Sequence, residues 1–248
     1  MKNLVIPAAG NGNRVSDFTQ GMSKELLSLL GKPIIDYSIQ ESMDSKISHI
    51  YVIIRDEKID LKNYLQSKYS FTINYIYQQI PKGLGDAILK VENMIDTEMF
   101  GVILPDDIII SDKPAILQLY DVADKYDTSV LGIEVVKEDD LEKYGIIKGD
   151  EIDEDLYLIK DIEEKPQKNA AFSNLGVIGR YILSSEIFSY LKKTRTSIKT
   201  GELELTDAIK SLIKREDVYA VKINGTRYDC GNVEGYLKAV RELEGDKT

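Results

Sequence analysis

The sequence predicts an α/β fold: a mixed, mostly parallel central sheet flanked by helices, with a small appended β region. Three observations carry this expectation. Short β-branched runs alternate four times with helical patterns in the first half, the order that builds a parallel sheet with helices on both faces. The run Ile50–Ile54 is almost wholly apolar, as a strand buried on both sides would be. The second half loses the alternation and carries a charged stretch, 137–168, with strand-like pieces inside it.

In chain order, Leu4–Ala8 reads as a strand opening into a Gly-rich loop, and Ser16–Gly21 as loop. Pro33 suits the first position of a helix, and Ile35, Ile39 and Met43 continue it at i, i+4 spacing. After Ile50–Ile54 come a short helix at Ile59–Gln66, a strand at Ile73–Tyr77, and a helix near Asp86–Met94 that follows a Gly-rich turn. Phe100–Leu104 reads as the fourth strand, Pro114–Lys125 as a helix and Ser129–Val136 as a strand. Tyr144–Lys148 and Leu156–Ile162 suggest a twisted hairpin or an extra sheet, with a solvated connection as the alternative. Asn174–Leu183 is strand-like. Leu205, Ala208, Ile209, Leu212 and Ile213 fall on one helical face, Val218–Ile223 reads as a strand and Val233–Leu243 as a closing helix. Ligands of such sheets gather beyond the carboxyl ends of the strands. Ala8–Arg14, Gln78–Gly85 and Pro105–Asp107, each following a strand, are therefore expected on one rim.

Composition narrows the function. The 248 residues include 42 Asp+Glu against 32 Lys+Arg, a net charge of −10. The length lies near what one core supports, roughly 250–300 residues. An acidic chain lacks the broad basic face that nucleic acid requires, so neither nucleic acid nor a membrane surface is expected as a partner. A local cationic pocket for a small phosphate ester is still compatible. No apolar run approaches the ~20 residues of a membrane span, and the N-terminus lacks the apolar stretch of a secretory signal, so a cytoplasmic protein is expected. Cys230 and His49 are the only cysteine and histidine. That excludes an intrachain disulfide, a two-cysteine zinc site and a two-histidine mechanism. Cys230 reads as a small packing residue and His49 as a loop or strand-edge residue.

Ala8-Ala9-Gly10-Asn11-Gly12-Asn13-Arg14 directly follows a strand. Glycines there let the backbone approach a phosphate and expose N–H donors. It is not a dinucleotide fingerprint, because Val15 holds the third glycine position, and no G-K-[ST] follows to make a Walker loop. A phosphate-binding loop ending in Arg is one reading, a plain structural turn the other. Lys24, ten residues on, can place a second cation near the same polyphosphate, or be a surface charge. Asp106-Asp107 can be a cation site or a solvated turn, and Glu163-Glu164-Lys165 a binding edge or merely a charged one.

The order and spacing of the wider set is more specific. Gly10-x-Gly12-x-Arg14, Ser23-Lys24-Glu25-Leu26-Leu27 and Gly31-Lys32-Pro33-Ile34-Ile35 resemble the sugar-1-phosphate nucleotidylyltransferases, also called nucleoside-diphosphate-sugar pyrophosphorylases. The resemblance continues through Gln78 with Lys82-Gly83-Leu84-Gly85-Asp86-Ala87, Leu104-Pro105-Asp106-Asp107, Tyr144-Gly145 and Glu163-Glu164-Lys165-Pro166. Ser173-Asn174-Leu175-Gly176 with Gly179-Arg180-Tyr181, Gly201–Ala208 and Asp229-Cys230-Gly231-Asn232 are similar to the branch that makes UDP-glucose. Departures are Asn13 for Thr, Ser23 and Asp17 for prolines, and a shorter segment between Tyr64 and Ile76.

The resemblance implies a Rossmann-like nucleotidyltransferase fold in a single domain over 1–248, with a nucleotide-binding half (1–136) and a sugar-binding half with the closing helix (137–248). It implies Mg²⁺-dependent transfer of a nucleotidyl group from UTP to glucose 1-phosphate, and a possible homodimer or homotetramer. Asp106 and Asp229 would hold the metal. Arg14 would hold the β- and γ-phosphates, Lys24 the α-phosphate region and Lys165 the sugar phosphate. Ala8, Ala9, Gly10, Gly12, Gln78 and Gly83 would line the nucleotide site; Asp107, Gly145 and Glu164 would meet the sugar phosphate.

These residue types suit that chemistry. A sugar phosphate is already ionised at neutral pH, so its attack on the α-phosphorus needs no general base. The obstacle is repulsion between anions, about 4 kcal/mol for two unit charges ~4 Å apart at an effective dielectric near 20, which cations must cancel. The alternatives are the same chemistry with dTTP or CTP and another sugar 1-phosphate, or a nucleotide-sugar-binding regulatory module without turnover. A nicotinamide dehydrogenase is disfavoured by Val15 and by the lack of an evident hydride-transfer set.

Overall fold

The apolar runs of the first half become the parallel part of a large sheet. The computed structural model describes residues 2–12 and 15–245. Its elements, in order, are β1 (Asn3–Pro7), the single turn α1 (Ser16–Thr19), the two-residue strands β2 (Ser28–Leu29) and β3 (Lys32–Pro33), α2 (Ile34–Asp44), β4 (His49–Ile54), α3 (Ile59–Lys68), β5 (Ile73–Tyr77), α4 (Leu84–Leu89), β6 (Met99–Ile103), β7 (Asp107–Ile110) and α5 (Ala115–Tyr126). They continue with β8 (Val130–Val135), β9 (Gly145–Asp153), β10 (Leu156–Glu164), β11 (Leu175–Ser184), α6 (Ile187–Lys193), α7 (Leu205–Leu212), β12 (Tyr219–Lys222), β13 (Thr226–Asp229) and α8 (Val233–Gly245).

Among the described residues, nine strands form one sheet in the order β5-β4-β1-β6-β11-β8-β12-β10-β9. The neighbours β5, β4, β1 and β6 run parallel, as does the pair β8 and β12. Direction reverses at β11, which is antiparallel to both β6 and β8. The charged stretch resolves as the antiparallel hairpin of β9 and β10 at the sheet edge. Strands of the parallel part alternate between two cores. Val5, Tyr51, Ile53, Phe100 and Val102 face the α4–α6–α7 side. Leu4, Ile6, Ile50, Val52 and Ile54 face α2, α3 and α5. This two-sided burial is why the sequence shows runs there rather than alternation. Among the described residues no helix is long and apolar enough to cross a membrane.

Several short pieces depart from the sequence expectation. Ser16–Gly21 holds the helical turn α1 rather than loop alone. The helix expected near Asp86–Met94 starts earlier, at Leu84, and breaks after Leu89 before a 3-10 turn at Glu92–Met94. α6 and β7 are too short to leave a periodic signal, whereas the strand-like reading of Thr226–Tyr228 corresponds to β13, which pairs with β7.

The ladder between β11 and β8 slips between Val177 and Tyr181. The displaced stretch carries Arg180, which is only 1% exposed. Its Nη2 lies 2.6 Å from Glu41 Oε2 on α2, and its Nη1 donates to the carbonyls of Asp107 at 2.9 Å and Gly179 at 3.1 Å. Glu41 Oε1 also accepts the N–H of Ile116 on α5, at 2.8 Å. One buried ion pair thus ties α2, α5 and β11 to the turn after β6. Removing one partner of such a pair strands the other charge at a cost of about 3–5 kcal/mol. Glu41→Gln is expected to lower unfolding free energy by that amount in urea titrations; a loss under ~1 kcal/mol would contradict it.

Candidate active site

Two clefts meet at the carboxyl ends of β1, β5 and β6. One, of about 430 Å³, is lined by Ala9, Gly10, Gly12, Lys24, Gln78 and Gly83. The other, of about 580 Å³, is lined by Asp106, Tyr144, Gly145, Glu164, Lys165 and Asp229. Leu84, Leu104 and Glu202 line both. The three loops expected on one rim therefore converge there. A larger hollow of about 760 Å³ lies away from them, beside Leu141 and Gln167. Ala8 lines neither cleft: its side chain is buried in the core beside α2, and its N–H is spent on Ile53 O at 2.7 Å. Arg14, with Asn13, lies outside the described residues.

The turn after β6 carries two adjacent acids with different surroundings. Asp107 is buried, and both its oxygens have internal donors. Arg227 reaches Oδ1 through Nε at 2.9 Å and Nη2 at 2.5 Å, and Gly179 N–H reaches Oδ2 at 2.6 Å. Asp107 thus lines the second cleft with its carboxylate held in place by these donors. A side chain on Gly179 would lie 2.6 Å from Leu104 Cβ, so only glycine permits this approach. Arg227 also bonds Glu134, and Tyr144 OH at 3.2 Å.

Asp106 lines the same cleft, where Lys24 Nζ lies 2.5 Å from its Oδ2. Asp229 ends β13 directly across the ribbon from Asp107, and the next residue, Cys230, bonds the Asp106 carbonyl through its N–H at 2.8 Å. The residues from opposite ends of the chain are thus brought together. Burial, then repulsion from Asp107 and Asp106, push the Asp229 carboxyl above the ordinary range against the pull of Arg227. Gly231 N–H at 2.9 Å and Asn232 Nδ2 at 3.2 Å fix its two oxygens. Among the described residues no group of three or more His, Cys, Asp or Glu could hold a metal. Two crowded carboxylates facing one cleft fit a hard cation such as Mg²⁺, which fills its sphere with waters and phosphate oxygens.

On the first cleft's far side, Gln78 is buried, and its Nε2 donates to Gly83 O at 3.3 Å and Asp86 Oδ2 at 2.7 Å. Gln78 lines the first cleft as expected of a nucleotide-site residue, with both donor hydrogens spent internally and only Oε1 left to accept. Gly83 has φ +102°, and a Cβ there would lie 2.7 Å from Leu203 O. The loop is zipped to the second half of the chain by Leu203 N–H to Lys82 O at 2.8 Å and Gly85 N–H to Leu203 O at 2.9 Å.

In the second cleft, Lys165 Nζ pairs with Glu164 Oε1 at 3.0 Å, and Thr206 Oγ1 donates to Glu164 Oε2 at 2.6 Å. Burial pulls the Lys165 pKa down, but Glu164, Glu204 and Glu202 outweigh it and hold the ammonium above its usual value. Gly145 packs its Cα side against Glu164 and Thr206. Cys230 is buried among Val15, Ile108 and Tyr228, and burial pushes its thiol up to about 12, so it packs and does not react.

Sequence reasoning overlooked Arg227, Glu204, Thr206 and the Arg180–Glu41 pair as parts of this arrangement. One signal was present: an arginine inside the apolar run Leu175–Ser184 must find a carboxylate. It also overlooked Arg55, just past β4, whose Nη1 donates to Asn11 Oδ1 of the glycine loop at 2.6 Å.

Known proteins resemble this chain over its full length. The family model described as nucleotidyl transferase matches residues 3–245. The UTP–glucose-1-phosphate uridylyltransferase YngB of Bacillus subtilis is 35% identical, over 98% of this chain and 89% of its own length. The UTP–glucose-1-phosphate uridylyltransferase of Staphylococcus epidermidis is 37% identical, over 98% and 92%. A crystal structure of a UDP-glucose pyrophosphorylase complexed with UDP-glucose superposes with a TM-score of 0.93 at 38% identity, covering 99% of each chain. Matched almost end to end in both sequence and fold, the chain belongs to the nucleotidyl transferase family.

Proposed function

We propose that the chain transfers a uridylyl group from UTP to glucose 1-phosphate, releasing pyrophosphate, with Mg²⁺ held by Asp106 and Asp229. The observation that carries this reading is the junction itself. Two acids and Lys24 stand where a nucleotide-sized cleft opens into a second cleft that holds a charged lysine among sugar-suited acceptors. The relatives named above carry the same activity in their names.

The triphosphate lies along Gly10 and Gly12, which line the first cleft and let a phosphate approach the backbone closely. Gln78 Oε1 accepts the N3–H of uracil. Cytosine presents an acceptor at N3 and meets Gln78 unfavourably, whereas thymine keeps the N3–H. Lys165 holds the phosphate of the sugar, and Glu164, oriented by Thr206, accepts a sugar hydroxyl. Lys24 steadies the α-phosphate, exchanging its contact with Asp106 for one with substrate. Arg14 is assigned the departing pyrophosphate on its sequence position alone. The divalent ion, when bound, neutralises phosphate charge that the protein's cations do not cancel. No residue need remove a proton, because the attacking oxygen is already ionised.

Pyrophosphate release measured with a panel of triphosphates and sugar 1-phosphates tests the reading. UTP with glucose 1-phosphate is expected to be the best pair, dTTP weaker and CTP weakest. Nucleotide binding without release from any pair would instead indicate a regulatory module.

Asp229→Asn has two expected effects. Turnover falls about a hundredfold or more. The metal-free variant melts at a higher temperature than wild type at pH 7–8. Because the Asp229 pKa is raised on folding, its stability contribution is present below the ordinary aspartate value and lost as pH rises through the raised one. The stability gain of the variant should therefore shrink on acidification. Unchanged turnover would remove Asp229 from the site, and a lower melting temperature would contradict the electrostatic account.

A further inference from the structure

Lys24 reaches the turn that carries Asp106, and the backbone on both sides of it is held by the start of α3. Ser23, the residue before, has φ −57° and ψ 130°. This is the extended conformation to which a proline ring would restrict a residue, and serine has no such restriction of its own. Asp60, in the first turn of α3, supplies partners that impose it. Its Oδ2 accepts the N–H of Ser23 at 2.7 Å, and its Oδ1 accepts the Ser23 hydroxyl at 2.6 Å. Burial raises the Asp60 carboxyl, but the bonds from Ser23 and Leu61 outweigh it and leave the pKa below the ordinary range. The group is therefore ionised at neutral pH, and its bonds are charge-assisted.

The residue after Lys24 is held in parallel. Glu25 is buried and ion-paired with Lys58 Nζ at 2.7 Å, immediately before α3. Between these anchors the stem of Lys24 runs past Gly12: a Cβ on that glycine would lie 3.4 Å from Lys24 Cβ. The ammonium then meets Asp106. Rotation about the Ser23 backbone would swing this whole path, since Lys24 begins at the next residue. Asp60 itself lines neither cleft.

We propose that Asp60 is a positioning residue for Lys24. By taking both polar hydrogens of Ser23, its carboxylate fixes the backbone from which Lys24 reaches the reacting α-phosphate. This rests on the role given to Lys24 under the proposed function. Misplacing a reacting or stabilising group by about 1 Å can cost as much as ~100-fold in rate, so a tether outside the cleft can show in turnover.

A double-mutant cycle tests it. Proline at position 23 keeps φ and leaves the Ser23 carbonyl free to accept the Leu26 N–H at 2.9 Å, while abolishing both donors to Asp60. The pyrophosphate-release kcat, the KM for each substrate and the melting temperature are measured for wild type, Asp60→Ala, Ser23→Pro, the double variant and Lys24→Ala. Asp60→Ala is expected to lower kcat about tenfold with KM for the sugar phosphate within about twofold. Asp60→Asn, keeping one acceptor oxygen, should fall between Asp60→Ala and wild type. In the Ser23→Pro background, Asp60→Ala should change kcat by less than about twofold. Wild-type kcat in Asp60→Ala, or equal losses in both backgrounds, overturns the proposal. So does an effect confined to melting temperature, which would make Asp60 a support for α3 alone. If Lys24→Ala keeps full kcat, the role of Lys24 falls and the proposal with it. If Lys24→Ala is inactive while Asp60→Ala is fully active, only the positioning claim fails.

Discussion

Two buried guanidinium groups grip the turn that follows β6, and the site depends on that grip. Arg180, balanced by Glu41, holds its carbonyls; Arg227, shared with Glu134, holds the Asp107 carboxylate. Buried ion pairs are poor sources of net stability, because desolvation consumes much of their attraction. Their consequence here is geometric. Both acids of this turn line the second cleft, Asp107 held by Arg227 and the Gly179 N–H and Asp106 meeting Lys24, and pairing of β7 with β13 brings Asp229 alongside them. Burial, and after it the crowding of like charge, raise the Asp229 pKa, a cost to the metal-free fold that a bound cation would relieve.

The sheet's change of direction explains how one chain builds two adjoining clefts. The parallel strands β4, β1 and β6 deliver the glycine loop and the acidic turn to one rim, as crossover connections require. β11 then runs back beside β6, and the hairpin of β9 and β10 brings Gly145 and Glu164 opposite each other in register. Backbone hydrogen bonds between 82–85 and Leu203 join the two halves across the cleft. The two clefts therefore share a wall, as the proposed reaction between two bound phosphates needs.

Much of this was legible in the sequence, for identifiable reasons. The buried strand β4 announced itself because burial on both faces demands continuous apolar residues, and the half-buried edge strand β5 at Ile73–Tyr77 showed as a run of β-branched and aromatic residues. Gly83 was named through the family resemblance, and the structure supplies a physical reason for glycine there in its φ of +102° beside Leu203. The apolar face of α7 followed from periodicity. What stayed hidden depends on long-range pairing. Asp106 and Asp107 are identical neighbours, and only the arrival of Arg227, 120 residues later, separates their roles. Arg180 finds Glu41 at a separation of 139 residues. Gln78 reads as a two-way hydrogen-bonding group until Asp86 and Gly83 claim its donors. Elements of four to seven residues, such as β7 and α6, carry too few side chains for a period to show.

The central claim is that Asp106 and Asp229 share one divalent ion beside Lys24. Anomalous diffraction from crystals grown with Mn²⁺ and UTP tests it most directly, because manganese substitutes for magnesium at oxygen sites and scatters anomalously. The account predicts a single strong peak bridging the two carboxylates and a phosphate oxygen of the nucleotide. A peak bound only by phosphate and water, or by one acid with the other turned away, would contradict it.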